Sequence, residues 1–238
     1  MSIDRTTAYI LSAGRGRRLG GTCKGRLEIN GESLVERQLH VMALAGITHC
    51  TVLVSHESSL IKGLVQKATD ALRTSGSMMT TECVDVLVPP ENDSDGSGIR
   101  MSVVAALGHA KAMMWSDQHI ASTLISLVDL PILAKEDISG LRLFAATYGA
   151  SAVVPQSESS QPGHPIWLSR RFVLALPIES ELFSLRDHLR NKVGDTTDPV
   201  IPMPMRSAGP FVDLDTADDA AWVADTFGLT IQIPQPSL

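Results

Sequence analysis

Apolar positions along the 238-residue chain fall into short uninterrupted runs separated by stretches with helical spacing. Ala8-Tyr9-Ile10-Leu11 is a short apolar run that suits a buried strand. Ser33 and Glu36 stand three apart as a capping box, with Leu39, Met42 and Ala43 at helical spacing behind them and Gly46 as a stop. The pattern then predicts a strand over 49–55, a helix over 60–74, a strand over 84–88 and a helix over 101–114. A strand over 122–128 follows, then a helix over 139–147 ended by Gly149, and a strand over 152–154. Strands alternating with helices predict an α/β domain with parallel strands. Past Pro155 the polar run QSESSQPG leads to a strand over 164–168 and two amphipathic helical stretches up to Asn191. The chain returns through extended segments at 200–205 and 211–214 and closes with a helix over 217–227. This predicts a single domain over 1–238, with a substrate-binding insertion at about 156–205.

Charge and cysteine usage narrow the class. Twenty basic residues against 26 acidic ones give a formal charge of −6, which leaves no polycationic footprint for nucleic acid. The three cysteines show no CxxC pairing, against a disulfide scaffold or a zinc site. No apolar window approaches the length needed to span a bilayer, and the expectation is a cytoplasmic protein that engages no membrane.

Candidate chemistry concentrates in 11–27, LSAGRGRRLGGTCKGRL, behind the first strand. Gly14, Gly16, Gly20 and Gly21 let backbone amides turn toward an anion, while Arg15, Arg17, Arg18 and Lys24 supply positive charge. The loop is expected at a carboxyl strand edge, where α/β sheets bind ligands. Asp129 follows STLISLV and precedes Leu130-Pro131, so it either emerges at the same edge as a magnesium ligand or begins a turn. Asp213 and Asp215 alternate along a segment expected to be extended; they share a face, as metal ligands or as a solvated strand end. Thr216 and Asp219 have the spacing of a helix cap. His164, in Gly163-His164-Pro165, faces either a substrate phosphate or carboxylate, or else solvent from a turn. Ser102 meets ligand through helix amides or only starts its helix. The segment 89–98, PPENDSDGSG, reads equally as an active-site loop and as a solvated connection.

Together these residues resemble the MobA-like nucleotidyltransferases, which include molybdenum cofactor guanylyltransferase and molybdopterin cytidylyltransferase. Leu11-Ser12-Ala13-Gly14, Arg18-Leu19-Gly20 and Lys24-Gly25 match the family's first loop, Asp129-Leu130-Pro131 its D-x-P, and Asp213-Leu214-Asp215-Thr216 with Asp219 its closing acidic motif. Ser33 replaces a usual proline, and Cys23 stands where the guanylyl branch has an aspartate. The resemblance implies a Rossmann-like three-layer α/β/α nucleotidyltransferase fold with a mostly parallel central sheet. It implies transfer of NMP from an NTP to a small phosphorylated acceptor such as molybdopterin, with release of pyrophosphate, and a molybdoenzyme as candidate partner. Leu11, Ser12, Ala13, Gly14, Gly16, Arg18, Lys24 and Ser102 would bind nucleotide, Arg18, Lys24 and Asp129 would be catalytic, Asp129 and Asp213 would hold Mg2+, and His164 would meet the acceptor. Gly163-His164-Pro165 and 98–102 are similar to the cytidylyl branch and Gly20-Gly21 with Lys24-Gly25 to the guanylyl branch, so CTP is favoured over GTP.

Two rivals remain. Gly14-x-Gly16 after a strand also suits an NAD(P)H-dependent oxidoreductase, although such a loop runs directly into a helix and needs an acidic residue about 20 positions on. A cofactor-binding chaperone without turnover would not need Arg18, Lys24 and Asp129 together.

Overall fold

The first strand, β1 (Arg5–Ser12), is buried along almost its whole length because neighbours flank it on both sides and helices cover both faces. A computed structural model of the chain describes residues 5–14, 16–55, 58–87 and 97–235. After β1 come β2 (Glu28–Ile29), β3 (Glu32–Ser33), α1 (Leu34–Leu44), β4 (His49–Val54), α2 (Ser58–Thr74) and β5 (Thr80–Asp85). Then follow α3 (Ser97–Ser116), β6 (Ile120–Leu127), α4 (Lys135–Tyr148), β7 (Ala152–Gln156) and β8 (Ile166–Ser169). The chain ends with α5 (Arg170–Ala175), α6 (Leu185–Lys192), β9 (Val200–Pro204), α7 (Ala217–Phe227) and β10 (Ile231–Gln232).

The central seven-stranded sheet has the order β5-β4-β1-β6-β8-β7-β9, and β10-β2-β3 form a small second sheet. It is mixed α/β and mostly parallel, as expected from the alternation of elements. Ala8 and Ile10 face α1, α2 and α7, whereas Tyr9 and Leu11 face α3, α5 and α6, so the period-two alternation of β1 feeds two cores. The capping boxes Ser33–Glu36 and Thr216–Asp219 start α1 and α7, and Gly149 ends α4 in the left-handed conformation.

Two local expectations are corrected, and the structure supplies the direction of β8, which the pattern left open. The strand expected at 84–88 lies at Thr80–Asp85, because its polar side chains have partners: Glu82 accepts hydrogen bonds from Thr51 and His49, both at 2.8 Å. β8 runs antiparallel to both β6 and β7 instead of continuing the parallel pattern, since 157–165 is too short for a crossover connection. The segment 211–214 is not a strand. The amides of Phe211 and Val212 both donate to the Ala208 carbonyl, which turns the chain behind Gly209-Pro210.

Segment 156–205, expected as a substrate-binding insertion, contributes β8 and β9 to the central sheet. Its helices are tied to α3: Lys111 donates to the Leu176 carbonyl at 2.6 Å, Arg100 to that of Phe183 at 2.9 Å, and Arg170 to those of Asp117 and Ile120. Phe172 is fully buried in the core shared with β1 and α3. Phe172→Ala should therefore lower the stability of the whole molecule by about 3–5 kcal/mol in one urea transition. A separate early transition, with the main one unmoved, would instead make 156–205 an independent unit.

Candidate active site

Chain topology creates the site. β1 is followed through α1 by β4 on one side, while β6 is reached on its other side, so the crevice beyond the carboxyl ends of β1 and β6 is a topological switch point. Leu11 pairs in register with Leu127, and the Val128 amide donates to the Leu11 carbonyl at 3.2 Å. The loop after Ser12 and the segment carrying Asp129 therefore leave the sheet side by side.

The glycine-rich loop is a closed turn. Gly16 has φ 58°, and its carbonyl accepts from the amides of Leu19 at 2.8 Å and Gly21 at 3.1 Å. A Cβ on Gly16 would lie 1.8 Å from the Thr22 carbonyl oxygen, so no other residue fits. Leu19, Cys23 and Leu27 anchor the loop in the core, which leaves Arg17 and Arg18 exposed above it. The Thr22 hydroxyl donates to the Pro234 carbonyl at 2.7 Å, strapping the chain's tail across the loop. Ser12 lies beneath: its hydroxyl is 3.9 Å from the Cys23 sulfur and would be 2.5 Å from a Cβ on Gly25.

Asp129 is buried at the end of β6, held by α1 from one side. Gln38 donates to the Leu130 carbonyl at 2.9 Å and Arg37 to that of Pro131 at 2.7 Å. From the other side, the Leu214 amide donates to the Asp129 carbonyl at 3.1 Å, which draws the closing acidic segment to the same place. Asp219, besides capping α7, accepts from the Asp215 amide at 3.1 Å and so fixes the backbone of Asp215.

These placements converge on Lys24. Its ammonium donates to Asp129 Oδ2 at 2.6 Å and, through a short contact, to Asp215 Oδ1, and Arg18 reaches Asp215 Oδ2 at 3.5 Å. Burial works to lower the Lys24 pKa, but the charges and hydrogen bonds of Asp129 and Asp215 outweigh it and leave the pKa raised. Asp129 Oδ1 is buried with no hydrogen-bond partner. Asp213 is exposed. Partial desolvation raises its carboxyl pKa, helped by the negative charges of Asp129 and Asp215. Among the described residues, no group of three or more His, Cys, Asp or Glu is placed to hold a metal ion.

A cavity of about 510 Å³ opens above this cluster. Leu11, Ala13, Gly14 and Gly16 line its floor, Arg17, Arg18 and Lys24 the cationic wall, and Asp129 and Asp215 the acidic one. Gly98, Ile99 and Ser102, in the first turns of α3, complete it, so the positive end of that helix faces the same space. A Cβ on Gly14 would meet nothing within 4 Å, which leaves its backbone open to a ligand. Of the expected nucleotide-binding residues, all but Ser12 line the cavity. The Ser102 hydroxyl donates to the Gly98 carbonyl at 3.0 Å, a bond within α3.

His164 and Asp213 do not line it. His164 is partly buried, with Nδ1 donating to the Ile125 carbonyl at 3.3 Å. Burial lowers its pKa despite that bond and the Asp129 charge, so the imidazole is neutral near pH 7 with Nε2 as acceptor. Arg15 and 89–96 lie outside the described residues.

Sequence reasoning singled out Asp213 and passed over Asp215 as a partner for Lys24. The signal was present in the D-x-D-T-x-x-D spacing, but the expected strand put both carboxylates on one face, whereas the turned backbone gives them separate surroundings.

Residues 8–194 match the MobA-like NTP transferase domain. The chain belongs to this family. Solved structures share its fold. One is a 4-diphosphocytidyl-2C-methyl-D-erythritol synthase from Anaerococcus prevotii, at TM-score 0.66 and 14% identity, covering 94% of this chain and 96% of that one. Another is Rv0371c from Mycobacterium tuberculosis in complex with manganese, at 0.58 and 18%, covering 93% and 99%. A third is molybdopterin-guanine dinucleotide biosynthesis protein A from Archaeoglobus fulgidus, at 0.57 and 17%, covering 93% and 98%. No sequence match was found among the curated proteins. Among the described residues no helix is long and apolar enough to cross a membrane.

In this MobA-like domain Gly16→Ala should leave the far-ultraviolet circular dichroism near wild type while opening the loop. The cost exceeds the roughly 1–2 kcal/mol of placing a non-glycine residue in left-handed geometry, because the Thr22 carbonyl must also move. Limited proteolysis should cut the variant near 14–22 at least several-fold faster; unchanged cleavage would show that the loop tolerates a side chain there.

Proposed function

We propose that this protein is a magnesium-dependent nucleotidyltransferase that moves a nucleoside monophosphate from a triphosphate to a small phosphorylated acceptor, with CTP favoured over GTP and molybdopterin the first acceptor to test. The observation that carries this reading is the convergence of Arg18, Lys24, Asp129 and Asp215 on one cavity whose floor is a glycine-rich loop. A dinucleotide loop would enter a helix at once, whereas residues 13–33, with two short turns and a hairpin, separate β1 from α1. That favours triphosphate over NAD(P)H.

An oxygen of the acceptor phosphate attacks the α-phosphorus in line, the bond to the bridging oxygen breaks, and pyrophosphate leaves. No protein nucleophile is needed, so catalysis rests on alignment and charge. Gly14 and Gly16 approach the phosphates by backbone, Arg18 and Lys24 neutralise the charge that develops on them, and the first turn of α3 adds its helix dipole. The residues present suit a divalent ion: Asp129 Oδ1 is a buried oxygen without a partner, and the exposed Asp213 carboxylate lies close enough to feel its charge. Manganese in the Rv0371c structure supports the same chemistry. Asp129, with Asp213, would hold Mg2+, which supplies further neutralisation of the phosphates when bound. His164, neutral and held by Ile125, would meet the acceptor through Nε2, and 156–205 would carry the acceptor side. Base preference rests on Gly163-His164-Pro165 and on 98–102, of which Gly98 and Ser102 border the cavity. A molybdoenzyme would receive the product.

A thermal-shift screen with CTP, GTP, ATP, UTP, NADH and NADPH, each with and without magnesium, tests the reading. A magnesium-dependent rise with one triphosphate, followed by pyrophosphate release with an acceptor, is expected. A rise only with NADH or NADPH would favour the oxidoreductase, and triphosphate binding without turnover on any acceptor a cofactor-binding protein. Asp129→Ala should keep the fold and lose magnesium-dependent turnover by about 100-fold or more, the scale of removing one charge-stabilising group. Lys24→Ala should weaken triphosphate binding roughly tenfold or more, and an unaltered affinity would count against the loop assignment.

A further inference from the structure

Asp129, the carboxylate proposed to hold the metal ion, already has a cation beside it. Lys24 Nζ lies 2.6 Å from Asp129 Oδ2 and in short contact with Asp215 Oδ1, so one ammonium satisfies an oxygen of each carboxylate. The pair is largely sheltered, with Lys24 and Asp129 side chains 18% and 11% exposed, and solvent screens it weakly. A divalent ion bound by Asp129 in that arrangement would sit beside an ammonium in a low-dielectric place. Like charges at such separations oppose one another by several-fold to many-fold in affinity.

Three further features bear on what happens when phosphates arrive. Lys24 borders the same cavity as Gly14 and Gly16, so its flexible stem can follow a ligand without crossing the fold. Arg18 is exposed and already within 3.5 Å of Asp215, so it can stay with that carboxylate if Lys24 leaves. No group of three or more metal-ligating side chains is preformed among the described residues, so water or phosphate oxygens would complete the shell of a hard cation there.

We propose that Lys24 is a placeholder cation. In the free protein it occupies Asp129 and Asp215 and keeps divalent metal out. The phosphates of the nucleotide draw it off, so metal and nucleotide enter together. The inference rests on the metal and triphosphate roles given under Proposed function. It adds a coupling between them: the same lysine that meets the nucleotide sets the affinity of the empty site for metal.

The test measures Mn2+ binding to the full-length protein without nucleotide, by electron paramagnetic resonance of free Mn2+, and needs no turnover. Wild type and Lys24→Arg, which keeps the charge, should bind weakly. Lys24→Met, which keeps the length and removes the charge, should bind at least about tenfold more tightly. Lys24→Gln should show the same gain, which guards against a folding defect peculiar to one variant. Adding Asp129→Asn to Lys24→Met should abolish the gain. If neither neutral variant binds Mn2+ more tightly than wild type, or if the gain survives Asp129→Asn, the placeholder role is wrong. Should wild type still give a magnesium-dependent thermal shift with a triphosphate in that case, the nucleotidyltransferase reading stands without it. Absence of both the gain and the shift overturns the two together.

Discussion

The ammonium of Lys24 joins, by side chain, three parts of the chain that the backbone already brings side by side: the glycine-rich loop, the end of β6 and the segment before α7. Its two carboxylate partners are 105 and 191 positions away in sequence. Buried ion pairs seldom add much net stability, because desolvation cancels most of the attraction. Their removal one partner at a time is costly, however, and this asymmetry makes the cluster a specifier of geometry. Meeting both carboxylates at once fixes where the Lys24 end of the loop lies.

The remainder of the site works to deliver those carboxylates. Asp129 is held through backbone: Gln38 and Arg37 of α1 bind the carbonyls that follow it, and Leu214 binds its own. Asp215 is held through Asp219, whose carboxylate serves both the cap of α7 and the Asp215 amide. The helix cap and an acidic residue of the cavity wall are thus one construction. The loop is held by a steric stop at Gly16 and by the bond from Thr22 to the tail at Pro234. Side chains that touch ligand space are therefore few, and a larger set of backbone contacts behind them determines where they point.

This division explains what could be read in advance. The elements of the two cores were legible because apolar periodicity is a local property: β1, β4 and β6 as buried runs, α1 and α7 with their capping boxes. The polar strand β5 was displaced in the reading because Glu82 and Thr81 look like loop residues until His49, Thr51 and Thr69 provide partners. The strand β8 was legible but its antiparallel direction was not, because direction depends on a connection length weighed against a neighbour chosen elsewhere in the chain. In the cavity, Gly14, Gly16, Arg18, Lys24, Asp129 and Ser102 were legible as a constellation. Asp215 was noticed but not paired, since the pairing depends on a turn set by Gly209-Pro210 and on a bond to the Asp129 carbonyl, neither of which has a local signature.

The sheet's two edge strands are closed to further strand pairing. At one edge β5 carries Thr80, Glu82 and Asp85, with Lys62 donating to Asp85 at 2.6 Å, so charge blunts the exposed strand. At the other, β9 reads VIPMP, and Pro202 and Pro204 offer no amide to a further strand. Both faces are covered by helices. At the carboxyl ends of β1 and β6, cationic and anionic side chains stand within one cavity and already neutralise one another. Under the proposed chemistry a triphosphate with its metal ion would meet both halves of that ion pair, the anion facing Lys24 and the cation facing Asp129.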